Sequence, residues 1–237
     1  MNVSESPEVH GFNTYQKDNS GSWRFTGKVN YNHEKKVDIT EDVSESVNFD
    51  NLFTSMKFRS AEYTIGGTDF SGKVDYLYKG SGYVIGGGLG YKDGFFSHLT
   101  LGANFSHFEF GTFIGMYSQH SDIEYSGEKG EDCGSSDNSC ESFSASDYSS
   151  NPSFLAGLYT GFYFDKLFFN LSVSSYRPYP QINGTKIDVP GIASAYLTAG
   201  YRLNQWLEFS VGGIVTHIGT SDAQDNLGVT SGISLYL

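Results

Sequence analysis

The sequence predicts an all-β chain, an antiparallel transmembrane β-barrel of about ten strands, with eight or twelve as the alternatives. Three observations carry this. Apolar residues alternate with small or polar ones along most of the chain, which is the period of a strand. The polar partners in that alternation are mostly Gly, Ser, Thr, Asn and Tyr, with little charge. The connections between alternating stretches are short and long in turn, as in barrels with tight turns at one rim and loops at the other.

Composition narrows the class. A chain of 237 residues suits one barrel or sandwich. It has 29 Gly, 17 Tyr and 19 Phe against 3 Met and 5 Pro, a bias towards strands. With 15 Lys+Arg and 27 Asp+Glu the net charge is −12, which disfavours a nucleic-acid partner. No apolar run reaches the roughly 18 residues of a transmembrane helix. A membrane protein without such runs must be a closed barrel, because only closure satisfies every backbone group in lipid. Met1 is followed directly by polar Asn2, so the chain reads as a processed one with an added start Met. Residues 1–21 are expected to form a periplasmic N-terminal segment and 22–237 the barrel.

Ten strands are expected at roughly 22–38, 47–66, 72–91, 95–106, 110–126, 153–164, 167–177, 191–203, 206–218 and 227–237. In the first, Trp23, Phe25, Val29 and Tyr31 alternate with Arg24, Thr26, Lys28 and Asn30. In the fourth, Leu99, Leu101, Ala103 and Phe105 alternate with Thr100, Gly102 and Asn104. Phe154, Leu158, Phe162 and Phe164 form the apolar face of the sixth, and Leu167, Phe169, Leu171 and Val173 that of the seventh. Ala195, Leu197, Ala199 and Tyr201 do so for the eighth, and Leu207, Phe209, Val211 and Val215 for the ninth. The middle rests on less. Residues 79–82 read as a turn or a bulge, and the break near His107 rests on a parity switch between Phe105 and Phe108. Asp165-Lys166 and Asn204-Gln205 are tight turns, while 127–152, 178–190 and 220–226 are long polar connections, the first taken as an extracellular loop.

The face opposite the apolar one decides between lipid and water. A soluble sandwich carries Lys and Glu on its strand faces, whereas small and hydrogen-bonding side chains suit the inside of a narrow barrel. Trp23, Tyr91, Phe95, Phe96, Phe164, Phe168, Tyr201 and Trp206 gather at strand ends and are candidates for interfacial girdles; the alternative is that they simply stabilise a sheet. The last strand ends Leu227, Val229, Ile233, Leu235, Leu237, and resembles the C-terminal strand of Gram-negative outer-membrane barrel proteins. Those most often end in Phe, where this chain ends in Tyr236-Leu237. The resemblance covers the architecture from about residue 22 onward and implies an outer-membrane location, with lipid bilayer and lipopolysaccharide as surroundings. It matches no single family, so it carries no functional residue with it.

Candidate sites follow from local chemistry. Cys133 and Cys140, the only cysteines, lie in a polar acidic stretch and read as a disulfide of an oxidising compartment, with free thiols or a metal as the alternative. The closed loop is short, so the bond would contribute about 2–3 kcal/mol. No ligand spacing for zinc or calcium is present there, and no cofactor motif occurs anywhere in the chain. His120, Asp122 and Glu124 share one strand face, and His217 lies near the outer end of another strand. A carboxylate beside a histidine can act as a general base, and outer-membrane proteases of the omptin type use such pairs at the barrel mouth. No local motif here matches theirs, nor the His-x-Ser of outer-membrane lipid A deacylases. Arg24, Lys28, Lys57, Arg59 and Arg202, opposed to Glu62, Asp75 and Glu208, are candidates for a charge network across the lumen, either as a plug or as the selectivity element of a pore. Three functions are therefore expected in order: a narrow porin-like channel for small solutes, cation-leaning because its loops are acidic; a non-conducting structural barrel meeting a surface partner through 127–152; and a membrane hydrolase.

Overall fold

The computed structural model describes residues 2–3, 6–9, 20–39, 55–119, 121–130, 141–149, 151–179, 181–182, 185–186, 191–219 and 224–237. In chain order its strands are β1 (Asn2–Val3), β2 (Ser20–Ile39), β3 (Ser55–Lys79), β4 (Tyr83–Lys92), β5 (Gly94–Phe105), β6 (Phe108–Gln119), β7 (Ser121–Gly130), β8 (Glu141–Ser149), β9 (Pro152–Phe164), β10 (Leu167–Tyr176), β11 (Gln181–Ile182), β12 (Thr185–Lys186), β13 (Ile192–Arg202), β14 (Leu207–Ile218) and β15 (Gln224–Tyr236).

Ten of these close a ring. From β2 the antiparallel pairing runs through β3, β4, β5, β6, β9, β10, β13, β14 and β15, and β15 pairs with β2. The seam is sealed by Trp23 N–H donating to Leu237 O at 3.0 Å and Leu237 N–H to Trp23 O at 2.9 Å. Closure removes the sheet edges that lipid could not satisfy. The register is staggered. Followed across the strands from Arg24 it passes Asp75, Gly88, His98, Gly115, Leu155, Tyr176, Ile192 and Ile218 to Gln224. Arg24 itself pairs with Tyr236, at the other end of that same strand β15. This shear is the tilt that a closed barrel requires.

Strand alternation separates lipid from lumen. In β10, Leu167, Phe169, Leu171 and Val173 face out while Phe168, Asn170, Ser172, Ser174 and Tyr176 are buried inside. Leu99, Leu158, Val211 and Leu227 each expose more than 60% of their surface. An apolar exterior extended over every wall strand exceeds what a water-soluble monomer shows. With the polar lumen it defines the chain as an outer-membrane-type barrel. Residues 80–82, 106–107, 165–166 and 203–206 turn tightly at the rim that also holds Ser20 and Leu237, the periplasmic rim. Asn204 closes the last of these turns, its Oδ1 accepting from Trp206 N–H at 2.8 Å and Leu207 N–H at 2.9 Å.

The strand count agrees with expectation, but the partition does not. Residues 80–82 are a full turn, so 72–91 divides, and its first part joins 55–66 in the single long strand β3. Only the lower part of β3 pairs with β4, from Ser71 to Lys79. Its upper part, Ser55 to Ala61, pairs with β7, and β7 pairs with β8. The stretch expected as one loop, 127–152, is thus partly a hairpin that continues the sheet beyond the barrel rim. Between these two zones β1 pairs in parallel with Thr64 and Ile65 of β3. Two residues expected in the girdles point inward: Phe96 and Phe168 are buried in the lumen. Each ring lies across a glycine on the neighbouring strand. A Cβ on Gly90 would come within 2.3 Å of Phe96, and one on Gly200 within 2.0 Å of Phe168. Glycine opposite an inward ring lets an aromatic fill a narrow barrel without forcing the wall apart. Trp23, Tyr91, Phe95, Phe164, Tyr201 and Trp206 do face outward and are exposed.

Candidate functional site: the occupied lumen

The lumen is built from the inward parity of each wall strand. Its charged centre is Asp75 of β3, fully buried. Arg24 of β2 donates to Asp75 Oδ2 from Nη2 at 2.7 Å and from Nε at 3.0 Å. Lys73 Nζ lies 3.5 Å from the same oxygen, and His98 Nε2 lies 3.3 Å from Oδ1. Arg24 and Asp75 are direct cross-strand partners, so the sheet register itself places them together. Such a cluster is tolerable in a low-dielectric interior because each charge faces its opposite. Nearer the periplasmic rim, Tyr236 donates to Glu208 at 2.9 Å, Arg202 Nε lies 3.7 Å from Glu208, and Asn104 donates to Glu109 at 3.1 Å. A vestibule of about 750 Å³ opens beside them, lined by His107, Tyr163, Lys166 and Arg202 among others. Towards the outer rim, Tyr117 and Tyr176 meet edge-on at 4.8 Å, and Tyr176 donates to Gln119 at 2.6 Å.

Residues 6–9 run through the lumen and are buried. Of the stretch 1–21 expected as a periplasmic segment, these four residues lie inside the barrel, while 1, 4–5 and 10–19 lie outside the described part. The wall holds them by side chains. Ser6 N–H donates to Ser194 Oγ at 2.9 Å, Tyr196 OH to Ser6 O at 2.7 Å, and Ser172 Oγ to Val9 O at 2.7 Å. Lys28 Nζ donates to the Glu8 carboxylate, and Lys73 Nζ to Glu8 O at 3.3 Å. A peptide that leaves the sheet must have its backbone groups satisfied by something, and here wall hydroxyls and ammonium groups do so. Ser6 and Val9 have 0% exposure, so no water fits beside them. A residual cavity of about 20 Å³ remains at Pro7 and Glu8, against Lys28, Lys73, Lys92 and Tyr196. That is about the room of one water.

Of the candidates named from sequence, Arg24, Lys28, Asp75 and Glu208 lie inside the lumen, and Arg202 at its periplasmic end, its guanidinium 5.2 Å from the Tyr236 ring centroid. The side chains of Lys57, Arg59, Glu62, Asp122 and Glu124 lie outside the described residues, as do His120, Cys133 and Cys140 altogether. His217 Nδ1 lies 2.8 Å from Asp225 Oδ1, its register partner, at the outer rim, and both are exposed. Lys73, His98, Lys92, Glu109, Asp69 and Glu8 were missed. The first four follow strand parity: Lys73 shares parity with Asp75, and His98 with Thr100. Glu8 offered no such signal, since it belongs to no wall strand. Among the described residues no cluster of metal-ligating side chains occurs.

No family model matches the chain, and no curated protein matches it either. Solved structures give similarities in overall β-barrel shape. One is the CymD monoaromatic hydrocarbon channel, 9% identical, TM-score 0.40, covering 94% of this chain and 89% of that one. Another is the toluene transporter TodX of P. putida, 9% identical, TM-score 0.37, covering 93% and 90%. A third is the outer-membrane protease OmpT of Escherichia coli, 13% identical, TM-score 0.35, covering 92% and 96%. The class of this chain is defined by its closed register and apolar exterior.

Proposed function

We propose that the protein is a narrow outer-membrane channel for small solutes, closed at rest by its own N-terminal segment. The observation that carries this is the position of residues 6–9, inside the lumen yet no part of its wall. An eight-stranded barrel is just filled by its own side chains, whereas ten strands leave further width. In this barrel a peptide takes up that width. Its withdrawal leaves a shaft lined by Ser172, Ser194, Tyr196, Lys28 and Lys73. Among the described residues, the contacts to be broken include four hydrogen bonds to the segment's backbone, about 0.5–1.5 kcal/mol each, and the buried Lys28–Glu8 pair. That is a reversible closure rather than a fused core.

The test is single-channel recording in planar bilayers with the full chain. The wild type is expected to open rarely. Glu8→Ala removes the ion pair with Lys28 and is expected to raise the open fraction about tenfold or more. A Val9→Cys/Ser172→Cys cross-link is expected to hold the channel shut until it is reduced. Heat-modified gel mobility shows that each variant is folded. Silence from folded, inserted wild type and Glu8→Ala alike overturns the channel reading and favours the surface-recognition barrel acting through 127–152.

A further inference from the structure

We infer that the lumen holds a binding site for a small organic carboxylate, and that Glu8 of the N-terminal segment occupies it in the resting barrel. The inference rests on the channel reading and names the solute class of that same shaft. Lys28, Lys73 and Lys92 all border one cavity, and all three are buried. Two of them have carboxylates of the wall. Lys73 lies 3.5 Å from Asp75, and Lys92 lies 3.6 Å from Asp69 while donating to Tyr196 OH at 3.0 Å. Lys28 differs: among the described residues its ion-pair partner is Glu8, carried by a peptide that the wall does not include. When that peptide withdraws, the Lys28 ammonium faces the opened shaft without its carboxylate, beside Lys73 and Lys92, and the local field there is positive. An entering carboxylate restores the balance, so the site stabilises an anion in transit.

The surroundings suit that ligand. Asn30, which donates to Asp69 Oδ1 at 2.6 Å, and Thr26, bonded to Ser234 Oγ at 3.0 Å, border the same cavity as polar neighbours of the charge, and the rings of Phe96 and Tyr196 offer an apolar flank for a short carbon chain. The selectivity of the open shaft is therefore anionic. This reverses the cation preference expected from the acidic loops, because a filter is set by the groups lining its narrowest part and not by those at its mouth.

Full-chain Glu8→Ala removes the carboxylate that occupies the site, and the volume of its side chain, without shortening the protein. Acetate is the probe and acetamide its uncharged control. Two readouts are taken: saturation-transfer NMR of the folded variant in detergent, and reversal potential across a KCl gradient in bilayers. Glu8→Ala is expected to bind acetate and not acetamide, and to conduct chloride in preference to potassium. Adding Lys28→Met is expected to reduce acetate binding about tenfold or more and to abolish the chloride preference. Lys73→Met serves as the second variant if Lys28→Met fails to fold. Open, cation-selective channels that ignore acetate overturn the carboxylate site while leaving the channel reading intact. Acetate binding that depends on Lys28, in a barrel silent in bilayers, leaves the site standing and removes the channel. Acetate binding that is unchanged by either lysine substitution overturns the site as assigned.

Discussion

Replacing Asp75 by Asn is expected to be among the most damaging isosteric changes in this barrel. The carboxylate is fully buried and serves three cationic or donor groups at once: Arg24 at 2.7 and 3.0 Å, His98 at 3.3 Å and Lys73 at 3.5 Å. Asn keeps the shape and one acceptor but removes the charge. Breaking a buried pair by neutralising one member costs about 3–5 kcal/mol, because the surviving charge is left unbalanced. Here the survivors are Arg24 and Lys73, which places the variant in the upper part of that range. Arg24→Met is expected to cost less, about 1–3 kcal/mol, since Asp75 retains Lys73 and His98. The assay is equilibrium urea unfolding in detergent micelles, followed by fluorescence. The chain has 2 Trp, and Trp23 and Trp206 both face outward, so unfolding moves them from detergent to water. The double variant completes a cycle whose coupling is expected to be at least about 1 kcal/mol. An Asp75→Asn barrel within about 1 kcal/mol of wild type, or an Arg24→Met barrel weaker than Asp75→Asn, refutes the view that Asp75 is the hub of the lumen charges.

Three other outcomes follow from the same geometry. Gly90→Ala drives a Cβ to 2.3 Å from the Phe96 ring, and is expected to lower stability by about 1–3 kcal/mol. The loss should be smaller when measured in a Phe96→Leu background, and an additive pair would show that ring and glycine do not share space. Leu99→Arg places a charge on the outer wall at a residue 67% exposed. It is expected to cost about 2–4 kcal/mol in lipid, against about 0.5 on a water-facing surface, so a neutral result argues against a lipid-facing wall. Cys133 and Cys140 are expected to resist alkylation until reduced. The pairing of Lys129 with Glu141 brings the chain on either side of them together, and modification of the unreduced protein seen by mass spectrometry would exclude the bond.

Much of the wall was legible because a strand has a strict period. Once Leu167, Phe169, Leu171 and Val173 are assigned to lipid, Asn170, Ser172 and Ser174 must face the lumen. The same parity applied to Lys73 and His98 would have added them to the lumen charges. The partition of 47–91 was less legible, because β3 runs on past the end of β4 and no residue marks where one partner gives way to the next. Phe96 and Phe168 were misread for a different reason. A strand-end aromatic suits either face, and only the glycine opposite it decides which face has room.

The sequence by itself determined that the chain is an antiparallel membrane barrel, since that follows from local alternation and from an inner parity made mostly of small and hydrogen-bonding residues. What occupies the lumen was decided only by tertiary structure. Arg24 and Asp75 are separated by a long stretch of chain and meet through the register of β2 on β3. Glu8 reaches Lys28 through the interior, with no pairing pattern to announce it. Periodicity reports which way a side chain points. It does not report what stands opposite, and the lumen of this barrel is made of such oppositions.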